Sequence, residues 1–289
     1  MTKAIVTKAP VWLITGCSTR FGQELAKQAI EHGYNTVVTA RDPSKLVGYS
    51  EADNVLMLKL DVTDPDQAAA AIDATVARFG RIDVLVNNAG IGYFAAVEES
   101  EEDQVRKMFD VNVFGTGRMI WAVLPGMRKQ RVGCIINISS LGGLRGFPAL
   151  GYYNASKFAV EGLSTALRQE IEPLGLKVMV VELSGFRTDW AGRSANESKL
   201  QIDDYMATAG KARATVRASS GHHPGDPVRA AEAIIMAVAS GNPPHHLLLG
   251  NDAFDGAMAV LEHFREDFLA GEAVARAADF PAANLMETA

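Results

Sequence analysis

The chain of 289 residues holds only two cysteines, Cys17 and Cys134. Two thiols build neither a disulfide framework nor a cysteine-rich zinc set, so a reducing, cytoplasmic setting is expected. Basic charge is also short: 28 Lys and Arg stand against 34 Asp and Glu, for a net charge of −6. Such a chain has no positive field for nucleic acid. No apolar run reaches the roughly 18 residues a membrane-spanning helix needs. The first ten residues, MTKAIVTKAP, lack the apolar core of a signal peptide. Internal repeats and low-complexity tracts are missing too.

What is present is a rhythm. Short apolar runs at 11–15, 35–40, 54–60, 82–87, 133–139, 177–183 and 245–249 alternate with longer amphipathic stretches at 22–32, 64–79, 101–130, 153–173 and 228–240. The short runs are continuously apolar, as strands covered on both faces are. Asp64-Pro65 and Asp226-Pro227 pair an N-cap type with a first-turn proline. The pattern predicts one α/β domain over 1–289: a Rossmann-like, doubly wound parallel sheet of about seven strands with helices on both faces. The rhythm fades over 189–227, which reads as either a plain surface excursion or a mobile substrate-binding flap. Residues 251–289 could hold a helix and then a frayed tail from about 270, or pack on a second subunit.

Several polar residues fall at predicted strand ends. After the first strand comes TGCSTRFG, where Gly16 and Gly22 flank Arg20. A glycine turn there can aim backbone amides at a pyrophosphate, and it can equally be tight packing. Arg41 follows the second strand. An arginine at that place can fork onto a 2′-phosphate and favour NADP, or be an ordinary surface charge. Asp61 follows the third and could accept from an adenine amino group or serve as a local cap. NNAG, Asn87 to Gly90, closes the fourth. Asn112 sits in an apolar helical stretch, where asparagine invites a reason such as a kink, a buried water or a side-chain bond. Tyr153 and Lys157 stand four apart and share a helix face, with Ser140 at a strand end before them. An ammonium beside a phenol favours the phenolate. Tyr153 is thus a candidate general acid and base for a carbonyl/alcohol pair, with Ser140 a candidate to hold the substrate oxygen.

Taken in order, TGCSTRFG, NNAG, Asn112, Ser140, Tyr153 and Lys157 make the chain resemble the short-chain dehydrogenase/reductase family over about residues 10 to 250. Its single-domain NADP-dependent ketoreductases and 17β-hydroxysteroid dehydrogenase-like members are similar. The resemblance implies hydride transfer to or from NADP(H). Tyr153 would move the proton, and Lys157 would bind the nicotinamide ribose and lower the Tyr153 pKa. Ser140 would position the carbonyl, and Asn112 would hold a relay water. It implies dinucleotide contacts at Gly16, Ser18, Thr19, Arg20, Phe21, Gly22, Arg41, Asp61, Val62, Asn88, Ala89, Gly90, Tyr153, Lys157, Phe186 and Thr188. Substrate walls would come from Tyr93, Leu141, Leu144, Phe147 and Trp190. It also implies a homodimer or homotetramer through the helices at 101–130 and 153–173, where Val111, Phe114, Met119, Phe158, Leu163 and Leu167 form apolar stripes.

Two positions depart from the family pattern. Arg20 replaces the second glycine of the turn, and could assist the phosphates or crowd them. Leu183-Ser184 stand where Pro-Gly is usual, five and four residues before Thr188. His222-His223 and His245-His246 come without an adjoining run of carboxylates, and adjacent strand residues point to opposite faces, so no metal site is expected. The other reading of the chain is a non-catalytic nucleotide sensor or scaffold on the same fold.

Overall fold

The computed structural model describes residues 9–50, 52–188, 192 and 195–280, the side chain of Arg20 excepted. Seven strands form one wholly parallel sheet: β1 (Val11–Ile14), β2 (Asn35–Ala40), β3 (Val55–Lys59), β4 (Val84–Asn87), β6 (Gly133–Ile138), β7 (Leu176–Leu183) and β9 (His246–Leu249). Their order across the sheet is β3-β2-β1-β4-β6-β7-β9. The strand order reverses between β1 and β4, and ligands of open α/β sheets bind outside the carboxyl ends at such a switch.

The two-faced burial follows from the pleat. Along β1, Trp12 and Ile14 point into one cluster, with Leu25 and Ala29 of α1 (Arg20–Glu31) and Ile234 and Ile235 of α7 (Pro227–Ala239). Val11 and Leu13 point to the other face. There they meet Ala68 and Ala71 of α2 (Pro65–Phe79), Met119 and Val123 of α4 (Thr116–Gln130), and Leu167 and Ile171 of α5 (Gly151–Ile171). Each fully buried large apolar side chain contributes roughly 1.5–3 kcal/mol, so both layers hold the sheet. The two Asp-Pro starts behave as read: Asp64 accepts from the amides of Asp66 and Gln67, and Asp226 from those of Val228 and Arg229.

Two stretches differ from the sequence reading. The helix expected over 101–130 is α3 (Glu102–Phe109), a π-helical turn at Asp110–Gly115, and α4. The 189–227 excursion, where described, has structure of its own. A short strand β8 (Ala195–Glu197) pairs in parallel with β5 (Gly92–Phe94), and α6 (Lys211–Ala218) follows. Buried Glu99 holds this excursion down: its carboxylate accepts from the amides of Ala96 and Ile202 and faces Arg213 at 3.5 Å, while its carbonyl accepts from Ser198 Oγ. Where described, the segment is a docked cover fastened by a buried ion pair and a strand pairing. Past the sheet, α8 (Asn251–Ala270) is the helix expected there, and the short α9 (Glu272–Arg276) lies within the expected tail.

Candidate active site

Every polar strand-end residue singled out in the sequence lies at the carboxyl edge of the sheet, because all seven strands run the same way. Gly16, with φ of +72°, turns the chain after β1. A side chain at Gly16 would meet Ala89 at 3.0 Å, and one at Gly22 would meet Asn88 Nδ2 at 2.1 Å. Asn88 Nδ2 donates to the carbonyls of Thr15 (2.8 Å) and Gly16 (3.0 Å), and Thr15 Oγ1 accepts from the amides of Asn88 and Ala89. The two glycines therefore allow the turn after β1 and the NNAG loop after β4 to interlock.

Arg20 opens α1 in helical conformation, so the position does not require the left-handed backbone that favours glycine. Its N-cap, Thr19, makes no side-chain capping bond. The first amides of α1 are thus left facing the edge, with Ser18 beside them, as an anion-binding helix start requires. Phe21 is buried and packs against Phe186 at 6.1 Å between ring centroids. The turn is tied to β2 by the Cys17 amide on the Thr39 carbonyl, which brings it beside Arg41. Arg41 is exposed and makes no ion pair among the described residues. Asp61 accepts from the amide and hydroxyl of Thr63, so the local-cap reading holds for one of its oxygens. Val62 is buried against Gly115, and Arg118 grips its carbonyl at 2.6 Å.

Asn112 lies inside the π-helical turn, with its side chain buried. Its Oδ1 accepts from the Ile91 amide (2.9 Å), and its Nδ2 donates to the Ile91 carbonyl (3.0 Å) and Ser156 Oγ (3.1 Å). Ser156 in turn donates to the Tyr153 carbonyl. Of the reasons offered for a mid-helix asparagine, the fold supplies the side-chain bond. All polar atoms of the side chain are engaged, so Asn112 is a strut between the loop after β4 and the start of α5. Gly90 lets this strut approach: a Cβ there would lie 3.3 Å from Asn112 Oδ1 and 3.8 Å from Lys157 Nζ.

Ser140 caps the short turn Leu141–Gly143, its Oγ accepting from the Gly142 amide. A Cβ on Gly142 would sit in ordinary contact, 3.5 Å, with both Ser140 Oγ and Tyr153 Cε1, so the serine hydroxyl and the phenol ring border the same small space. Lys157 shares the Tyr153 face of α5, its Nζ 5.9 Å from the phenol ring centroid. The buried ammonium donates to the Ile138 carbonyl at 2.8 Å. Burial pushes its pKa down to about 8, with the Glu161 charge pulling the other way. Both cysteine thiols are buried and pushed up to about 12 by that burial, which leaves them no thiolate at neutral pH.

After β7 the chain reaches the same edge without Pro-Gly. Ser184 donates its amide to Leu249. Phe186 bridges to Gly225, whose amide donates to the Gly185 carbonyl and whose carbonyl accepts from Arg187. The Thr188 amide donates to Phe186. Of the proposed substrate walls, Leu141, Leu144 and Phe147 lie on the segment after Ser140. Leu141 packs against Gly256 of α8, and Phe147 carries the Arg145 guanidinium at 5.0 Å. Tyr93 is buried beside Tyr153, but its hydroxyl is turned to Glu101, donating at 3.1 Å and accepting the Glu101 amide. It offers its ring and not its hydroxyl. Trp190 lies outside the described residues.

The sequence reading missed one cluster. His246 does have carboxylates beside it: Nδ1 lies 2.5 Å from Glu182 Oε1 and 4.0 Å from Glu161 Oε2. One ligand-type atom from each of Glu161, Glu182 and His246 falls within 4.8 Å of the others. The three come from α5, β7 and β9, so no local run reveals them. The one readable signal was Glu161, four residues beyond Lys157.

Residues 10–199 match the family model described as short chain dehydrogenase. Oxidoreductase BOA17 of Botryotinia fuckeliana is 38% identical over 255 residues, covering 87% of this chain and 93% of that protein. A 3-ketodihydrosphingosine reductase of Bacteroides thetaiotaomicron is 39% identical over 241 residues, covering 82% and 87%. The crystal structure of a short-chain dehydrogenase from Streptomyces avermitilis aligns with a TM-score of 0.87 at 38% identity, covering 94% of this chain and 100% of that one.

Proposed function

The chain belongs to the short-chain dehydrogenase/reductase family of oxidoreductases, and from that premise we propose that it interconverts a hydrophobic ketone or aldehyde with its alcohol, using NADP(H) in preference to NAD(H). The observation that carries the proposal is the grouping of Ser140, Tyr153 and Lys157: a serine hydroxyl and a phenol ring that border the same space beside Gly142, with a buried ammonium on the phenol's own helix face.

The residues present fit a dinucleotide. The uncapped start of α1, the positive-φ Gly16 and Arg41, which makes no ion pair among the described residues, line one end of the carboxyl edge, and Lys157 lies at the other. The bound nicotinamide supplies the hydride. The chain supplies the rest. Lys157 holds positive charge beside Tyr153 and lowers the cost of the phenolate. Tyr153 gives or takes the proton at the substrate oxygen, and Ser140 holds that oxygen. Asn112 keeps the loop carrying Gly90 against this group. Arg41 offers a guanidinium fork to a 2′-phosphate. Leu141, Leu144, Phe147 and the rings of Tyr93 and Phe94 favour an apolar carbonyl compound. A relative named for reducing 3-ketodihydrosphingosine is in keeping with that class. We further propose a homo-oligomer formed through α4 and α5, on which Trp121, Phe158 and Leu163 are exposed.

The test is steady-state reduction of hydrophobic ketones of graded chain length with NADPH and NADH. NADPH is expected to be favoured, Arg41→Ala to erase most of the preference, and Tyr153→Phe to lower turnover at least about a hundredfold with little change in cofactor affinity. Wild-type turnover by Tyr153→Phe overturns the acid/base assignment, and rates favouring NADH overturn the cofactor assignment. Tight NADPH binding with no turnover of any carbonyl returns the chain to the nucleotide-sensing class.

A further inference from the structure

Behind the Ser140 turn, away from the substrate side, lies a set of ionisable groups that the reaction as described leaves unused. Glu161 is buried on α5, one turn beyond Lys157. Its Oε1 accepts a short hydrogen bond from Ser139 Oγ. Gly143 permits this approach, since a Cβ there would lie 2.8 Å from that oxygen. Three successive residues of one strand end are thus handled together. Ile138 takes the Lys157 ammonium, Ser139 takes Glu161, and Ser140 faces Tyr153. On its other side Glu161 meets Glu182 of β7, fully buried, and His246 of β9, about half exposed. Glu161 Oε2 and Glu182 Oε2 are buried without a hydrogen-bond partner among the described residues.

We propose that Glu161 is a positioning residue for this reaction: it holds the Ser140 turn through Ser139, and its charge, gated by Glu182 and His246, keeps Lys157 in the ammonium form that Tyr153 requires. This rests on the roles given above to Tyr153 and Lys157.

The charges decide it. Two carboxyl groups side by side in the interior do not both ionise without counter-charge. Two cations face them: Lys157 from α5 and His246 from β9. The short His246–Glu182 bond raises the His246 pKa and makes that pair a neutral unit when the imidazole is protonated. Glu161, one helical turn from Lys157, is then the carboxylate left to act on its charge through space. Burial first, and then the Glu182 charge, push the Glu161 pKa up to about 7, while the Ser139 bond, His246 and Lys157 hold it down. Two further groups act on the cluster. Arg168 of α5 repels the His246 charge, and His245, edge-on to His246 at 4.4 Å, is kept neutral by burial. His246 is the member that meets solvent, so it is where the buried charge exchanges protons with water.

The test uses the full chain with Glu161→Gln, His246→Gln and the double variant. Glutamine keeps an oxygen for Ser139 and removes the charge. Lys157 is titrated directly by 13C NMR of lysine Cε, assigned with Lys157→Arg, and the alkaline limb of kcat/KM is recorded alongside. In Glu161→Gln both are expected to move to lower pH by about one unit. His246→Gln is expected to move them the same way by less, and the double variant no further than Glu161→Gln. A Lys157 titration unchanged in Glu161→Gln overturns the proposal. So does a zinc ion binding stoichiometrically to the wild type but not to Glu161→Gln, since a cation would then hold the carboxylates. His246→Gln, at a half-exposed position, decides the question if Glu161→Gln fails to fold. The NMR titration needs no substrate, so a chain without carbonyl turnover fails the functional reading and not this one.

Discussion

Gly22 and Asn88 are in a contact that no other residue at position 22 permits: a Cβ there would stand 2.1 Å from Asn88 Nδ2 and 2.5 Å from the Gly16 carbonyl. Gly22, in the turn after β1, is therefore explained by the protein's own loop, before any phosphate is considered. Gly22→Ala must displace the Asn88 amide from the carbonyls of Thr15 and Gly16. Overpacking of this kind costs about 1–3 kcal/mol. Thermal unfolding should show the loss, and NADPH affinity should fall with it. A variant with wild-type melting and affinity would show that the NNAG loop shifts without cost.

The buried groups at Lys157 and Glu161 predict opposite pH trends. Between its ordinary 4.5 and about 7, folded Glu161 holds a proton that the unfolded chain has released. Stability contributed by this group therefore declines as pH rises through that window. Between about 8 and its ordinary 10.5, folded Lys157 has lost a proton the unfolded chain keeps, so there stability rises with pH. Urea titrations across pH should show the first slope flattened in Glu161→Gln. Ketone reduction, which needs the ammonium, should fall as pH rises through about 8.

The cover over the carboxyl edge depends on Glu99. Arg213→Met leaves the Glu99 carboxylate buried beside two amides and no cation, at a cost of about 3 kcal/mol or more. Proteolysis within 195–218 should accelerate and KM for a hydrophobic ketone should rise. Unchanged proteolysis would mean that the strand pairing of β5 with β8 alone holds the cover.

The apolar stripe read across the two long helices divides in space. Met119 and Leu167 are in the core, whereas Phe114, Phe158 and Leu163 are exposed together with Trp121, which is 69% accessible. Trp121→Glu should reduce the assembly measured by light scattering to a smaller species. Phe268→Glu, on the outer half of α8, should not. The reverse result would move the interface to α8.

Much of this chain was legible as sequence because the signals are local. Continuous apolar strands, Asp-Pro helix starts and the fixed spacings of TGCSTRFG, NNAG and Tyr153–Lys157 are set by backbone geometry within a few residues. With all strands parallel, every strand-end motif must reach one edge. The pairing of those motifs was not local. Asn112 gripping Ile91, Glu99 meeting Arg213 from beyond residue 200, and Glu161 meeting Glu182 and His246 each join segments tens of residues apart. Long-range polar contacts leave no period in a sequence, because any charged residue on a surface would read the same. Burial turns such a residue into a strut or a counter-ion, and burial is settled only when the sheet and its helices close on one another.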